Sequence, residues 1–218
     1  MPPPNDLQAF VADENYAPMV RALAARGDLR RYRKGTILIH EGDAGDALFI
    51  VLSGQVKVFC TDPNDKEITF GVFGPGDYVG EMALDGGPRS ASVITQQPTL
   101  ASVVKRATLL AFIAEHPEFA LELLSKVIRR LRLATRDARN LAFIDVYGRL
   151  TSLLHELAPL QPEGVQRRTE RITHQELASR VGCSREMVSR ILKDLESGRY
   201  IRVVDKRITL VGKLPLRW

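Results

Sequence analysis

Three observations predict an α+β fold for this chain of 218 residues. A block of short β-rich runs extends from Leu29 to about Val104, a long helical stretch follows from Thr108 to about Asn140, and ITHQELASRVGCSREMVSRILKDLES then reads as two helices around a tight turn. Many short strands at close spacing argue for a roll or barrel of the jelly-roll kind, and the paired helices with a terminal hairpin argue for a winged helix-turn-helix. The expected partition is a β-roll at 1–116, a dimerisation helix at 117–140 and the winged helix-turn-helix at 141–218.

Taken in order, the chain opens with a Pro-rich lead expected to be loose, after which Tyr16 to Arg26 reads as a short helix closed by Gly27. The runs TILIH, ALFIVLSG, QVKVFC, EITFGVF, DYVG, SASVIT and ASVV follow. They alternate with turns at Lys34-Gly35, Glu41-Gly42-Asp43, Ser53-Gly54, Asp62-Pro63-Asn64-Asp65 and Gly74-Pro75-Gly76-Asp77. Val56, Val58 and Cys60 alternate with Gln55, Lys57 and Phe59, and Ile68, Phe70 and Val72 repeat the pattern. Each of these strands is expected to cover a core with one face.

Between two strands lies GDYVGEMALDGGPRSASV, from Gly76 to Val93. A connection that only closed a roll has no need of Gly80-Glu81 and then Gly-Gly-Pro-Arg-Ser. Glycines allow close backbone approach, Arg89 offers a bidentate charge for a phosphate, Ser90 a hydroxyl, and Glu81 an acceptor for a ribose hydroxyl. Those groups describe a pocket for a sugar phosphate. A turn-rich surface loop with an internal Glu81–Arg89 salt bridge fits the same spacing, and both readings stay open here.

Pro117 can begin the long helix, in which Leu124, Val127, Leu131, Ala134, Ala138 and Leu141 recur at steps of three and four. Such a seam fits pairing with a second copy of the chain, or packing against the roll alone; its length beyond the roll favours the homodimer. Lys126, Arg129, Arg130, Arg132, Arg136 and Arg139 occupy the other face. Residues 140 to 145 read as a hinge, Asp145 as the cap of a helix from Val146 to Ala158, and Leu160 to Gly164 as a loop.

Thr173 and Glu176 form a capping box ahead of Leu177, Ala178 and Val181, and Gly182 and Cys183 break the period. Ser184 caps a second helix in which Val188, Ile191, Leu192 and Leu195 face inward while Arg185, Glu186, Ser189, Arg190 and Lys193 share the opposite face. Arginine forks match the two acceptors of guanine in the major groove, and Glu186 can accept from cytosine. A solvated amphipathic helix is the plain alternative; the capping box, the Gly turn and the hairpin over Tyr200–Val204 and Arg207–Val211 favour a DNA reader.

Charge agrees with that division. From Val165 onward 13 Lys and Arg stand against 6 Asp and Glu, a net of +7, so residues 1–164 carry −2 of the overall +5. Phosphate neutralisation releases counterions and needs such a surface, although solubility alone could also explain it. Two cysteines, Cys60 and Cys183, are too few for a disulfide framework or a four-thiolate cluster. No apolar run approaches a bilayer span, so a cytoplasmic protein is expected. A metal-dependent barrel enzyme would need several histidines on facing strands, and His40 alone lies in the barrel; His116, His155 and His174 fall in helical segments.

The order of barrel, long helix, NLAFIDV, ITHQELASRVGCSREMVSRILKDLE and hairpin resembles the Crp/Fnr family of bacterial transcription regulators, in its cyclic AMP receptor branch, from about Leu29 to Gly212. The resemblance implies a cyclic nucleotide effector, cyclic AMP first and cyclic di-GMP as its rival, with a ligand-independent regulator carrying a vestigial pocket as a further alternative and with no catalytic or metal site. It implies a phosphate-binding cassette of Gly80, Glu81, Met82, Arg89, Ser90 and Ala91, with Glu81 on the ribose and Arg89 on the phosphate. Thr135 would reach the base from a partner subunit, while Ala134 stands where the family usually offers a second hydroxyl. Arg185, Glu186 and Arg190 match the readers of a TGTGA half-site; Ser184 and Gln175 match phosphate contacts, with Ser189 and Lys193 on the same surface and His174 where the founding member has an arginine. The implied partners are double-stranded DNA, a second copy of the chain and RNA polymerase.

Overall fold

The structure is a computed structural model that describes residues 7–63, 67–158 and 167–215, except the side chains of 83, 137 and 140–143. The expected Pro-rich lead at 2–4, the Asn64-Asp65 part of one turn, the 160–164 loop and the side chain of Leu141 lie outside the described residues. Two compact units emerge: Met1–Cys60 with Thr69–Ile128, and Thr61–Ile68 with Arg129–Trp218.

The first unit begins with α1 (Leu7–Ala12) and α2 (Pro18–Ala24) rather than one helix over 16–26. Pro18 supplies the fixed φ of a first helical position, and Tyr16 stays outside to stack on buried Phe10, with ring centroids 4.4 Å apart. The strands are β1 (Asp28–Tyr32), β2 (Ile37–Ile39), β3 (Ala47–Ser53), β4 (Val56–Thr61), β5 (Glu67–Phe73), β6 (Tyr78–Val79), β7 (Ser92–Thr95) and β8 (Thr99–Lys105). They form two four-stranded sheets, ordered β1-β8-β3-β6 and β2-β7-β4-β5, with α3 (Arg106–Glu115) after β8.

β3 explains the architecture. Leu48, Ile50 and Leu52 face Phe10, Leu23, Leu109, Phe112 and Phe119 in a helix-covered core, whereas Phe49 and Val51 join Ile39, Val56, Val79 and Val93 in a second core. Because both faces are buried, the run ALFIVL carries no alternation. At about 1.5–3 kcal/mol per buried large aliphatic side chain, this strand anchors the unit.

The single-faced pattern expected of β4 holds at Val56 and at Val58, which pack on the second core, and it is not observed on β5. Val56 is fully buried, but Val58 and Cys60 are half-exposed, and Phe70 is 61% exposed. β5 is the edge of its sheet, so its side chains have a neighbouring strand on one side only.

α4 (Pro117–Phe143) runs three residues past the expected end, and the break before α5 (Val146–Leu157) narrows to Ile144-Asp145. Asp145 caps α5 by accepting from Gly148 N at 2.7 Å. The second unit continues with β9 (Arg167–Arg168), α6 (His174–Val181), α7 (Arg185–Ser197), β10 (Ile201–Val204) and β11 (Arg207–Leu210). Its core joins Leu150 and Leu154 of α5 to Leu177, Val181, Val188, Leu192, Leu195 and the hairpin residues Ile201 and Ile208. The expected two-stranded wing is three-stranded, because β9 pairs with β11.

Candidate functional site

In the first unit the loop from β6 to β7 folds around one arginine. Gly80 leaves β6 at φ +92°, a left-handed conformation that a side chain would strain, and Glu81–Asp85 then form a single 3₁₀ turn. Glu81 and Arg89 are both buried, at 6% and 7% exposure. Arg89 Nη1 donates to Gly80 O at 2.9 Å and Nη2 to Ala47 O at 2.8 Å, so two of its five N–H donors are held by backbone. Arg89 N donates to Asp43 O at 2.9 Å, and Gly42 N donates to Arg89 O at 2.8 Å, which pins the 42–46 loop to the arginine.

Burial lowers the Arg89 pKa from its ordinary value, and the charges of Asp46 and Glu81 work against that shift. A cation kept from water beside carboxylates and carbonyls, with donors to spare, is able to hold a small anion. Next to it a cavity of about 640 Å³ is lined by Gly42, Ala44, Gly45, Asp46, Gly86, Gly87, Pro88 and Arg106. Ser90 is exposed and donates to Met82 Sδ at 3.3 Å; Met82 is exposed and Ala91 is buried. Thr135 falls in the second unit, exposed on α4, with its hydroxyl donating to Leu131 O at 2.9 Å.

Sequence reasoning missed Gly45 and Arg106. Gly45 lies 44 residues before Arg89 and belongs to no motif, and Arg106 reads only as the start of a helix.

In the second unit the capping box is complete: Glu176 N donates to Thr173 Oγ1 at 3.1 Å, and Thr173 N to Glu176 Oε2 at 2.7 Å. Gly182 ends α6 at φ +75°, and Ser184 Oγ accepts from Met187 N at 3.2 Å to begin α7. These caps aim α7 so that Arg185, Glu186, Arg190 and Lys193 are all exposed, and Gln175 is exposed at the start of α6. The Glu186 carboxyl is held below the usual range, first by a backbone amide at the helix start and then by the Ser184 hydroxyl.

Ser189 and His174 are only half-exposed. His174 Nδ1 lies 2.8 Å from Ser189 Oγ, which donates to Arg185 O at 2.9 Å. Asp205 and Lys206 turn the hairpin with φ of +51° and +59°, the two positive values of a primed two-residue turn. Lys206 borders, with Ile172, Thr173, His174, Gln175, Arg185, Val203 and Ile208, a cavity of about 510 Å³. Along α4, Leu121, Leu124, Val127, Leu131 and Leu133 are exposed. Among the described residues, no group of three or more His, Cys, Asp or Glu is placed to hold a metal ion, and no helix is long and apolar enough to cross a membrane.

A sheet domain with a buried arginine loop and a winged helix-turn-helix with an exposed basic recognition face define a transcription regulator built from a sensor and a DNA-binding module. Residues 29–116 match the cyclic nucleotide-binding domain, and residues 148–213 match the Crp-like helix-turn-helix domain. The chain is 35% identical over 183 residues to the CRP-like cAMP-activated global transcriptional regulator of Mycobacterium tuberculosis, covering 82% of each. It is 34% identical over 191 residues to the cAMP-activated global transcriptional regulator CRP of Salmonella typhimurium, covering 84% of this chain and 90% of that one. Among solved structures it is similar to the c-di-GMP responsive global regulator CLP of Xanthomonas campestris, with a TM-score of 0.79, 30% identity, and 89% and 99% of the two chains covered. The chain belongs to the Crp/Fnr family of transcription regulators.

Proposed function

We propose that this regulator works as a homodimer that binds cyclic AMP in its sheet domain and, in response, binds palindromic TGTGA-type DNA sites and engages RNA polymerase. The observation that carries the effector reading is the burial of Arg89 and Glu81 in one loop, with the guanidinium cradled by Gly80 O and Ala47 O beside a cavity. A buried cation is costly unless it has a partner, and a cyclic phosphate is one that also uses the remaining N–H donors. In this reading Arg89 meets the phosphate, Glu81 the ribose, and Gly80, Met82, Ser90 and Ala91 shape the loop. On the DNA side Arg185, Glu186 and Arg190 read base edges, while Ser184, Gln175, Lys193 and His174 border the phosphate backbone.

A second reading keeps the fold and exchanges the effector for cyclic di-GMP. Two observations favour it: the similarity to the c-di-GMP responsive regulator CLP, and Ala134 at a position where cyclic AMP receptors usually carry a hydroxyl. One experiment tests both, namely binding to a TGTGA-N6-TCACA duplex with no ligand, with cyclic AMP and with cyclic di-GMP. Tighter binding with cyclic AMP alone, lost in Arg89→Ala, supports the first reading; a response to cyclic di-GMP alone overturns it in favour of the second.

A further inference from the structure

The 3₁₀ turn over Glu81–Asp85 sorts its side chains by its own period. With three residues per turn, positions three apart eclipse, so Glu81 and Leu84 share a side. That side faces the protein: Glu81 is buried, and Leu84 packs against the core of Phe10, Leu109 and Phe112. Met82, one step on, is turned outward and is 60% exposed. Its sulfur nonetheless has a partner, because the Ser90 hydroxyl donates to Met82 Sδ at 3.3 Å. A thioether has no hydrogen to give, so the direction of this contact is fixed, and its sulfur is a weak acceptor. The hydroxyl tied to Met82 belongs to the residue that follows the buried Arg89.

Exposure singles out this methionine. Met19 is half-buried against the helix-covered core of the first unit. Met187 is half-buried against the core of the second, where its sulfur also accepts from Arg190 Nη2 at 3.4 Å. A small oxidant therefore reaches Met82 first among the described methionines.

We propose that Met82 is an oxidation site through which hydrogen peroxide lowers affinity for the cyclic nucleotide, by holding the Ser90 hydroxyl away from the phosphate. This rests on the cyclic nucleotide reading above. The sulfur lone pair attacks one peroxide oxygen, the O–O bond breaks, and the departing hydroxide takes the proton of the transferred oxygen and leaves as water. Sulfur loses two electrons, peroxide gains them, and the product is methionine sulfoxide. In the reduced chain the Ser90 hydroxyl exchanges a weak sulfur acceptor for a charged phosphate oxygen, which is the stronger partner. In the oxidised chain the same side chain carries a polar S–O oxygen, and the exchange loses its advantage. Methionine sulfoxide reductases remove that oxygen, so the change is a reversible one.

The test is calorimetric titration of cyclic AMP, and in parallel of cyclic di-GMP, into the full-length protein before and after limited treatment with hydrogen peroxide. Dithiothreitol after the peroxide returns sulfenic acids and disulfides at Cys60 and Cys183 to thiols and leaves the sulfoxide in place, and peptide masses locate the added oxygen. Wild type should gain oxygen at Met82 ahead of Met19 and Met187 and lose about tenfold in affinity, the lower end for one hydrogen bond to a charged group, with recovery on treatment with the reductases. Met82→Leu keeps both cysteines, and its treated and untreated affinities should agree. Ser90→Ala should bind more weakly from the start and lose nothing further on oxidation. Undiminished affinity in wild type that carries the Met82 sulfoxide, a further loss of equal size in treated Ser90→Ala, or oxidation of Met19 and Met187 ahead of Met82 overturns the proposal. An untreated wild type that takes up neither nucleotide instead removes the effector reading on which it stands.

Discussion

Arg89 lies so close to Gly45 that a Cβ on Gly45 would stand 2.6 Å from Arg89 Nη2 and 2.8 Å from Cζ. Gly45 has no left-handed φ, so alanine meets no backbone strain there and acts only by pushing the guanidinium from its carbonyl cradle. Charge-assisted hydrogen bonds are worth about 1.5–3 kcal/mol, which sets the expected loss of affinity for the proposed cyclic AMP effector in Gly45→Ala at roughly ten- to a hundredfold. Calorimetry checks it. Wild-type affinity in this variant would mean that the ligand's phosphate is held by some other group.

The apolar stripe of α4 predicts its own disruption. Leu131 is 64% exposed and Leu124 52%, alongside Val127, and a stripe of this kind on a lone helix is covered when a second copy is added. Symmetry counts each side chain twice, so Leu131→Glu removes about 3–6 kcal/mol of burial and places two carboxylates at the seam. The proposed dimer should weaken by at least about a hundredfold, read as a halved mass in sedimentation at micromolar concentration. An unchanged mass would show that the stripe is not the interface.

Those two cases mark the limits of what the sequence disclosed. The helix-turn-helix was legible because its signals are local: Thr173 and Glu176 three residues apart, a glycine at the turn, Ser184 before the next helix. β1 escaped notice because DLRRY is exposed at four of its five residues and is held by pairing with β8, some 70 residues away. β9 is two arginines with no β pattern, recruited by β11. Phe70 misled in the other direction, since alternation was taken to mean burial on a strand that proves to be a sheet edge. At the candidate site the arginine and the glutamate were visible as residue types, but the approach of Gly45 to the guanidinium and the Ala47 carbonyl it donates to are long-range contacts that no spacing encodes.

Arg185 tests the DNA face. It is the first residue of α7, exposed and aimed by the Ser184 cap, so its guanidinium is free to lie in the plane of a guanine. Arg185→Ala is expected to cost about 1–3 kcal/mol of discrimination at a single base pair, whereas Lys193→Ala should weaken all sequences alike and lower the salt slope by about one. Competition binding against single-base variants of the half-site separates the two. A uniform loss in Arg185→Ala would assign that residue to the phosphate backbone instead.

His155 predicts a pH dependence of stability in the second unit. Arg167 Nη1 lies 3.1 Å from His155 Nδ1, while Arg167 Nη2 donates to His155 O at 2.8 Å and Nε to Ala158 O at 2.7 Å, closing the C-terminal end of α5. A guanidinium can only donate, so Nδ1 must be the bare acceptor of a neutral ring. Burial first, and the Arg167 charge second, push the imidazole pKa below the ordinary histidine value. The unfolded chain therefore takes up its proton near pH 6.5 while the folded chain still resists it, and in that window the unfolded state binds more protons. Stability from this group is complete above about pH 6.5 and declines as the pH falls toward the folded-state value, by at most about 1.4 kcal/mol per pH unit. Urea midpoints at pH 7.5 and 5.0 should fall further for wild type than for His155→Gln, whose amide oxygen can still accept from Arg167 without titrating. Equal losses in the two proteins would mean that Arg167 closes the helix through the carbonyls alone and that the ring is a bystander.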